Sequence, residues 1–240
     1  MNTAKQIDTI IREFSKGLQT VLGNKLYGAY VYGGAAFNDS IPTGDIDFHV
    51  ILREHLTDTE KQELDELHRE LAKKFPPLGG ELDGYYILFE DARKTTPPQS
   101  QMWHCATDNA WALHREHIRA GRYIILYGGD PREIYPPSTW PEIEDALFNE
   151  LRYVKEHLDQ YPDYCILNLC RLIYSFKTRD VVISKAKASE WSFEAFPGWR
   201  WLVELARKSY ERKATYYDRE RMLNEVGKFF EYATTQINHL

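Results

Sequence analysis

The chain is short of several things, and each shortage excludes a class of protein. Its 240 residues hold only three cysteines, Cys105, Cys165 and Cys170. An odd number of thiols with no Cys-x-x-Cys spacing leaves neither a disulfide framework nor a four-cysteine zinc site. It fits a reducing cytoplasm, with Cys165 and Cys170 expected as core thiols. No apolar run approaches the ~20 residues of a membrane-spanning helix. The longest, Gly28 to Phe37, is ten residues of mostly small and aromatic side chains. The opening MNTAKQIDTIIREF has charges scattered through it and lacks the unbroken apolar core of a secretory signal. Positive charge is in deficit, since 30 Lys+Arg against 36 Asp+Glu leave a net charge of −6. That balance disfavours a protein whose main work is gripping nucleic-acid backbones, and suits a cationic or metal-bound substrate.

Hydrophobic side chains are plentiful, at 43% of residues, which excludes a disordered chain. The length accommodates one large domain or two small ones. Ile7, Ile10, Ile11, Phe14, Leu18, Val21 and Leu22 line one helical face, ended by Gly23-Asn24. Leu26–Gly34 reads as a buried strand and Asp45–Leu52 as a second. Thr57 and Glu60 have capping-box spacing and open a helix carrying Leu64, Leu67, Leu71 and Phe75. After the Pro76-Pro77 and Gly79-Gly80 breaks, Glu81–Asp91 predicts a third strand, Ala106–Ala120 a mixed helix and Arg122–Gly129 a fourth strand. Past Tyr135-Pro136-Pro137 only helical periodicity remains. Successive helices are expected over Ile143–Leu158, Asp163–Phe176, from Ser184, over Trp199–Tyr210, and along Met222–Ile237. The aromatic residues Trp199, Trp201, Tyr210, Tyr216 and Tyr217 are expected mostly in the core of this bundle. The prediction is a mixed α/β domain over residues 1–140 and an all-α domain over 141–240.

Chemistry concentrates between Tyr30 and Val50. A strand runs into Gly33-Gly34, where missing side chains let a phosphate approach the backbone N–H groups. A loop leads to Asp45 and Asp47, two residues apart at the start of the next strand and so directed to one side. Two carboxylates aimed at one point suit a hard divalent cation such as Mg²⁺, which would bridge triphosphate oxygens. Glu81 and Asp83 open the following strand at the same spacing, so one of them is a third candidate acid. Alone, an Asp-x-Asp or a Gly-Gly is also what a plain turn looks like; the order strand, glycines, loop, paired acids, further acid is more specific. His104, His114 and His117 lie close in sequence, but a zinc site needs a fourth ligand, and packing histidines are the plainer reading.

That order resembles the nucleotidyltransferase superfamily, whose signature is a Gly-Ser or Gly-Gly pair followed by Asp-x-Asp and a later acid. Asn168-Leu-Cys-Arg171-Leu-Ile-Tyr174, Ser184-Lys185-Ala-Lys-Ala188-Ser-Glu-Trp191 and Ala206-Arg-Lys-Ser-Tyr210 resemble the helical domain of the aminoglycoside adenylyltransferases that modify streptomycin and spectinomycin. The resemblance implies an α+β fold, with a mixed-sheet catalytic domain followed by a helical bundle that closes the nucleotide cleft. It implies that Asp45 and Asp47 bind metal, that Asp83 stands where relatives place a Glu base, and that Arg171 and Lys185 contact the triphosphate. A planar Arg fork and a Lys point charge both suit phosphate oxygens. Gly34 and Gly44 stand where relatives have serines. The acid that streptomycin-modifying relatives use for the drug falls on Tyr161, with Asp159 and Asp163 nearby, and Trp103 lies where they place a drug-contacting Trp.

The expected activity is therefore Mg²⁺-dependent transfer of AMP from ATP to a hydroxyl of a small polar, cationic acceptor of the aminoglycoside type, with release of pyrophosphate. A catalytically weak nucleotide-binding or regulatory module on the same fold is the alternative, motivated by Gly34 and Gly44. A polymerase acting on nucleic-acid ends is disfavoured by the charge.

Overall fold

Alternating side chains and one crossover decide the architecture of the first 138 residues. The computed structural model describes residues 3–37, 45–103 and 110–238, so Gly44, His104 and Cys105 lie outside the described residues. Helix α1 (Thr3–Leu22) leads into β1 (Leu26–Tyr32), then β2 (Ile46–Leu52), α2 (Asp58–Lys74), β3 (Leu82–Leu88), the single turn α3 (Phe89–Ala92), α4 (Trp111–Arg119) and β4 (Tyr123–Tyr127). The sheet order is β3-β2-β1-β4. Strand β1 is antiparallel to both neighbours, whereas β2 and β3 are parallel. A parallel pair needs a crossover, and α2 provides it. That helix begins on the expected capping box: Glu60 accepts the Thr57 N–H at 2.7 Å while the Thr57 hydroxyl accepts the Glu60 N–H at 3.3 Å.

Period-two alternation gives the sheet two apolar faces. Val31, Ile46, Phe48, Val50 and Tyr86 pack under Ile10, Phe14 and Leu18 of α1 and Leu64 and Leu71 of α2. On the other face, Tyr30, Tyr32, Ile51 and Ile87 meet Trp111 and Ile118 of α4, with Ile134 and Tyr135. The expected strands are trimmed at their ends. Gly33 adopts φ +65°, outside the extended region, so β1 stops at Tyr32 and a 3₁₀ turn covers Gly33–Ala36.

The described residues fall into two compact units, the second starting at Thr139. It comprises α5 (Trp140–Glu156), α6 (Pro162–Thr178), α7 (Lys185–Ala195), α8 (Arg200–Tyr210) and α9 (Tyr216–Asn238). Thr139 and Glu142 make a second capping box ahead of Pro141. Helix α6 is apolar on nearly every side and packs against all four of the others. Cys165 and Cys170 lie on it, fully buried, their thiols pushed up to about 12 by burial. Such thiols are unreactive packing groups. Part of the aromatic tail departs from expectation. Trp199 packs on Phe229 and Tyr232, but Tyr216 and Tyr217 at the start of α9 are 72% and 75% exposed. Their phenols are amphipathic, and Tyr216 turns its hydroxyl to Glu220. Trp201, 36% exposed, lies under the guanidinium of Arg221 rather than in the core. Among the described residues, no helix is long and apolar enough to cross a membrane.

Two half-buried histidines of the sheet unit, His68 and His114, make its stability acid-sensitive. His68 accepts or donates one hydrogen bond to the Tyr86 hydroxyl at 2.9 Å, and burial holds its pKa down to about 4, against a small upward pull from Asp65. Burial holds His114 to about 4 as well. A depressed imidazole lets the unfolded chain take up protons first. Stability is therefore full above pH ~6.5 and falls between there and pH ~4, by up to about 1.4 kcal/mol per pH unit for each ring. Urea unfolding across that range is expected to show this slope, reduced by about one proton in His68→Gln, which keeps a partner for Tyr86. An unchanged slope in the variant contradicts the assignment.

Candidate active site

Register places the acids. Tyr32 pairs with Asp47 across β1 and β2, and Asp47 pairs with Asp83 across β2 and β3. Residues paired this way share a face, and neighbouring strands lie about 4.8 Å apart. The third acid beside Asp47 is thus Asp83. Glu81 precedes β3 and contributes its carbonyl, which accepts the Ile46 N–H at 2.8 Å. Strand β2 begins at Ile46, so Asp45 stands exposed just ahead of it. The carboxyl of Asp83 titrates above its ordinary range, first through desolvation by the surrounding protein and then through the charge of Asp45. Both effects oppose a second negative charge at one place.

Gly33 closes the site from the β1 side. A methyl group on it would reach the Asp47 carboxylate, with the Asp47 Cγ only 2.8 Å away. The backbone therefore passes directly against that carboxylate, and Gly34 follows in the same turn. Beneath lies a buried layer that sequence reading missed. The Tyr32 hydroxyl is 3.1 Å from Nδ1 of His114, and the Tyr32 ring lies 4.5 Å from His49. His49 Nδ1 shares a hydrogen bond of 3.0 Å with the Tyr135 hydroxyl. Burial raises the Tyr32 phenol well above its ordinary range, with Asp47 and Asp83 adding to the rise, and burial lowers both imidazoles. The floor of the site is thus polar but uncharged. Its signal in sequence was alternation: Asp47, His49 and Ile51 are on one face of β2. His114, half-buried, and His117, buried, are packing residues as expected, and His117 meets the edge of Phe37.

Arg171 and Lys185 belong to the helical unit. Ser184 caps α7 by accepting the Lys187 N–H at 3.1 Å, which makes Lys185 the first helical residue. Its ammonium donates to the Tyr210 hydroxyl at 3.0 Å. Arg171 lies on α6 two turns beyond Tyr164 and is partly buried, and its charge acts on that phenol. Among the described residues it makes no hydrogen bond or ion pair. Of the acids near the drug-binding position of relatives, Asp163 is engaged, accepting from Ser209 at 2.6 Å and from the Tyr164 N–H at 2.9 Å. Tyr161 is exposed. Trp103 is on the α1 and α2 side of the sheet, away from Asp47. Its indole donates to Asp65 at 3.2 Å and its ring meets His68 and Tyr86 edge-on.

Gly33→Ala should be costly in two ways. It strains a positive φ and pushes on Asp47, for roughly 1–2 kcal/mol of stability by denaturant unfolding. It should also weaken Mg–ATP binding in titration calorimetry, and unaltered binding would show that the turn does not face the nucleotide.

Residues 140–236 match the family described as aminoglycoside adenylyltransferase, C-terminal domain. A spectinomycin 9-adenylyltransferase of Enterococcus faecalis is 25% identical over 206 residues, covering 76% of this chain and 77% of that protein. The solved structure of an enterococcal spectinomycin adenyltransferase with ATP and spectinomycin superimposes with a TM-score of 0.76 at 22% identity, over 99% of this chain and all of that one. Sheet order, helical second unit and these likenesses bear out the resemblance read from the sequence: the chain shares the fold of that adenyltransferase structure, and its residues 140–236 match the C-terminal domain family of the aminoglycoside adenylyltransferases.

Proposed function

We propose that the protein transfers AMP from ATP to a hydroxyl of an aminoglycoside-type acceptor, with spectinomycin the first candidate, and releases pyrophosphate. The observation that carries the proposal is the side-by-side placement of Asp47 and Asp83 with the Gly33 backbone against the Asp47 carboxylate. Asp45 and Asp47 would hold Mg²⁺. Hard carboxylate oxygens fit that ion. Among the described residues no three His, Cys, Asp or Glu side chains form a ready-made cage, so its other ligands would be triphosphate oxygens and water. When bound, the ion polarises phosphoryl oxygens and offsets their charge.

The residues of the chain divide the remaining work. Backbone N–H groups at Gly33 and Gly34 take phosphate oxygens where relatives have a serine hydroxyl. Arg171 and Lys185 neutralise the triphosphate. The acceptor oxygen bonds to the α-phosphorus, the bond from that phosphorus to pyrophosphate breaks, and the hydroxyl proton passes to Asp83. A carboxylate with raised proton affinity is the better base. Exposed aromatic and acidic groups would receive the acceptor's ammonium groups.

The test is incubation with ATP, Mg²⁺ and a panel of aminoglycosides including spectinomycin and streptomycin, read by pyrophosphate release and by mass gain of one AMP. ATP binding without release from any acceptor favours the weak-module alternative. Asp47→Asn should cut turnover by roughly 10³-fold or more while leaving the unfolding midpoint unchanged. Arg171→Ala is expected to raise KM for ATP about tenfold, and KM for the acceptor much less. An equal rise in both would remove Arg171 from the triphosphate.

A further inference from the structure

The turn after α4 sets an arginine beside the glycine turn of the site. Gly121, at φ +81°, ends the helix in the left-handed conformation. Its N–H donates to the Ile118 carbonyl and that of Arg122 to the His117 carbonyl, each at 2.9 Å. This paired closure is a Schellman motif, and it fixes the Arg122 backbone one residue ahead of β4. Tyr123 then pairs with Tyr32, as Tyr32 does with Asp47. Arg122 thus stands at the same end of the sheet as the paired acids, on the side of β1 opposite Asp47.

Phe37 ties it to the turn. The Phe37 N–H donates to the Gly34 carbonyl at 3.3 Å, closing the Gly33–Ala36 turn, and the Arg122 guanidinium lies over the Phe37 ring, 5.1 Å from its centre. Neighbouring arginines are engaged. Arg119 donates to the Tyr135 carbonyl at 3.0 Å, and Arg132 pairs with Asp130. The half-buried Arg122 side chain makes no hydrogen bond or ion pair among the described residues, and its Nε is enclosed without an acceptor. An anion arriving at this guanidinium offsets that deficit.

We propose that Arg122 is an ATP-binding residue, whose guanidinium contacts the triphosphate across the Gly33–Gly34 turn from the metal held by Asp45 and Asp47. The proposal rests on the reading of that turn as the triphosphate cradle. Arg171 and Lys185 belong to the helical unit, so Arg122 gives the sheet unit a cation of its own for the nucleotide. A cation just past a helix C-terminus and over a ring is also favourable without any ligand. Such a bracing role leaves the salt dependence of ATP binding untouched, whereas a phosphate contact does not.

The experiment is Mg–ATP titration calorimetry on the full chain at several salt concentrations, with thermal unfolding of every variant. Arg122→Met keeps an apolar stem over Phe37 and removes the charge. It should weaken binding about tenfold, and its affinity should fall less steeply with salt than that of the wild type. Arg122→Lys keeps the charge, and should lose no more than about threefold while retaining the wild-type salt dependence. Arg122→Gln, with the same expectations as Arg122→Met, replaces it if the methionine variant does not fold. Unchanged affinity in the neutral variant overturns the proposal. So does a loss with wild-type salt dependence, which marks a brace, or a lysine variant as weak as the neutral one. Wild-type protein that fails to bind Mg–ATP defeats the transferase reading itself. Wild-type binding with no loss in the neutral variant defeats only the role of Arg122.

Discussion

Two carboxylates held side by side on parallel strands are the constraint around which the sheet unit is arranged. The proton affinity of Asp83 is raised first by desolvation and then by the charge of Asp45. The face beneath carries the buried Tyr32 and His49 with the half-buried His114, and desolvation disfavours the charged form of each. Gly33, with no side chain, brings backbone rather than a counter-charge to the Asp47 carboxylate. Hard carboxylate oxygens placed together in this way suit a divalent cation.

The helical unit carries the cationic candidates. Lys185 is the first residue of α7, with the rings of Tyr164 and Tyr210 4.2 and 5.0 Å from its ammonium, and Arg171 lies on α6. Carboxylates suit a hard divalent cation, and an arginine fork and a lysine point charge suit phosphate oxygens. In the proposed reaction, groups fixed before the substrate binds would need little reorganisation, which is where electrostatic catalysis gains most.

Much of this was legible in the sequence, for identifiable reasons. The α1 stripe and the Thr57–Glu60 capping box are local patterns, and local patterns survive folding. Asp-Ile-Asp announced itself because a strand start fixes which way its side chains point. The choice between Glu81 and Asp83 was not legible, since it depends on the parallel register of β2 with β3, a long-range quantity. The layer of Tyr32, His49 and His114 escaped for a related reason. A polar residue on an apolar strand face is uninterpretable until its partner, on an element more than 60 residues away in sequence, is known. Tyr216 and Tyr217 misled in the other direction, because periodicity counts a phenol as apolar when it can equally face water.

The departures from the family signature take on a physical meaning in this setting. Asp83 is one methylene shorter than the Glu that the resemblance places there, which shortens its reach from the strand, while desolvation and the charge of Asp45 raise its proton affinity. In its proposed role, a base of shorter reach depends more on how the acceptor is seated. Replacing serine by Gly34 works in the same sense, because removing a side chain from the turn widens the approach to the backbone N–H groups. In the proposed reaction both changes would shift the work of positioning from the side chains of the site onto the bound substrates.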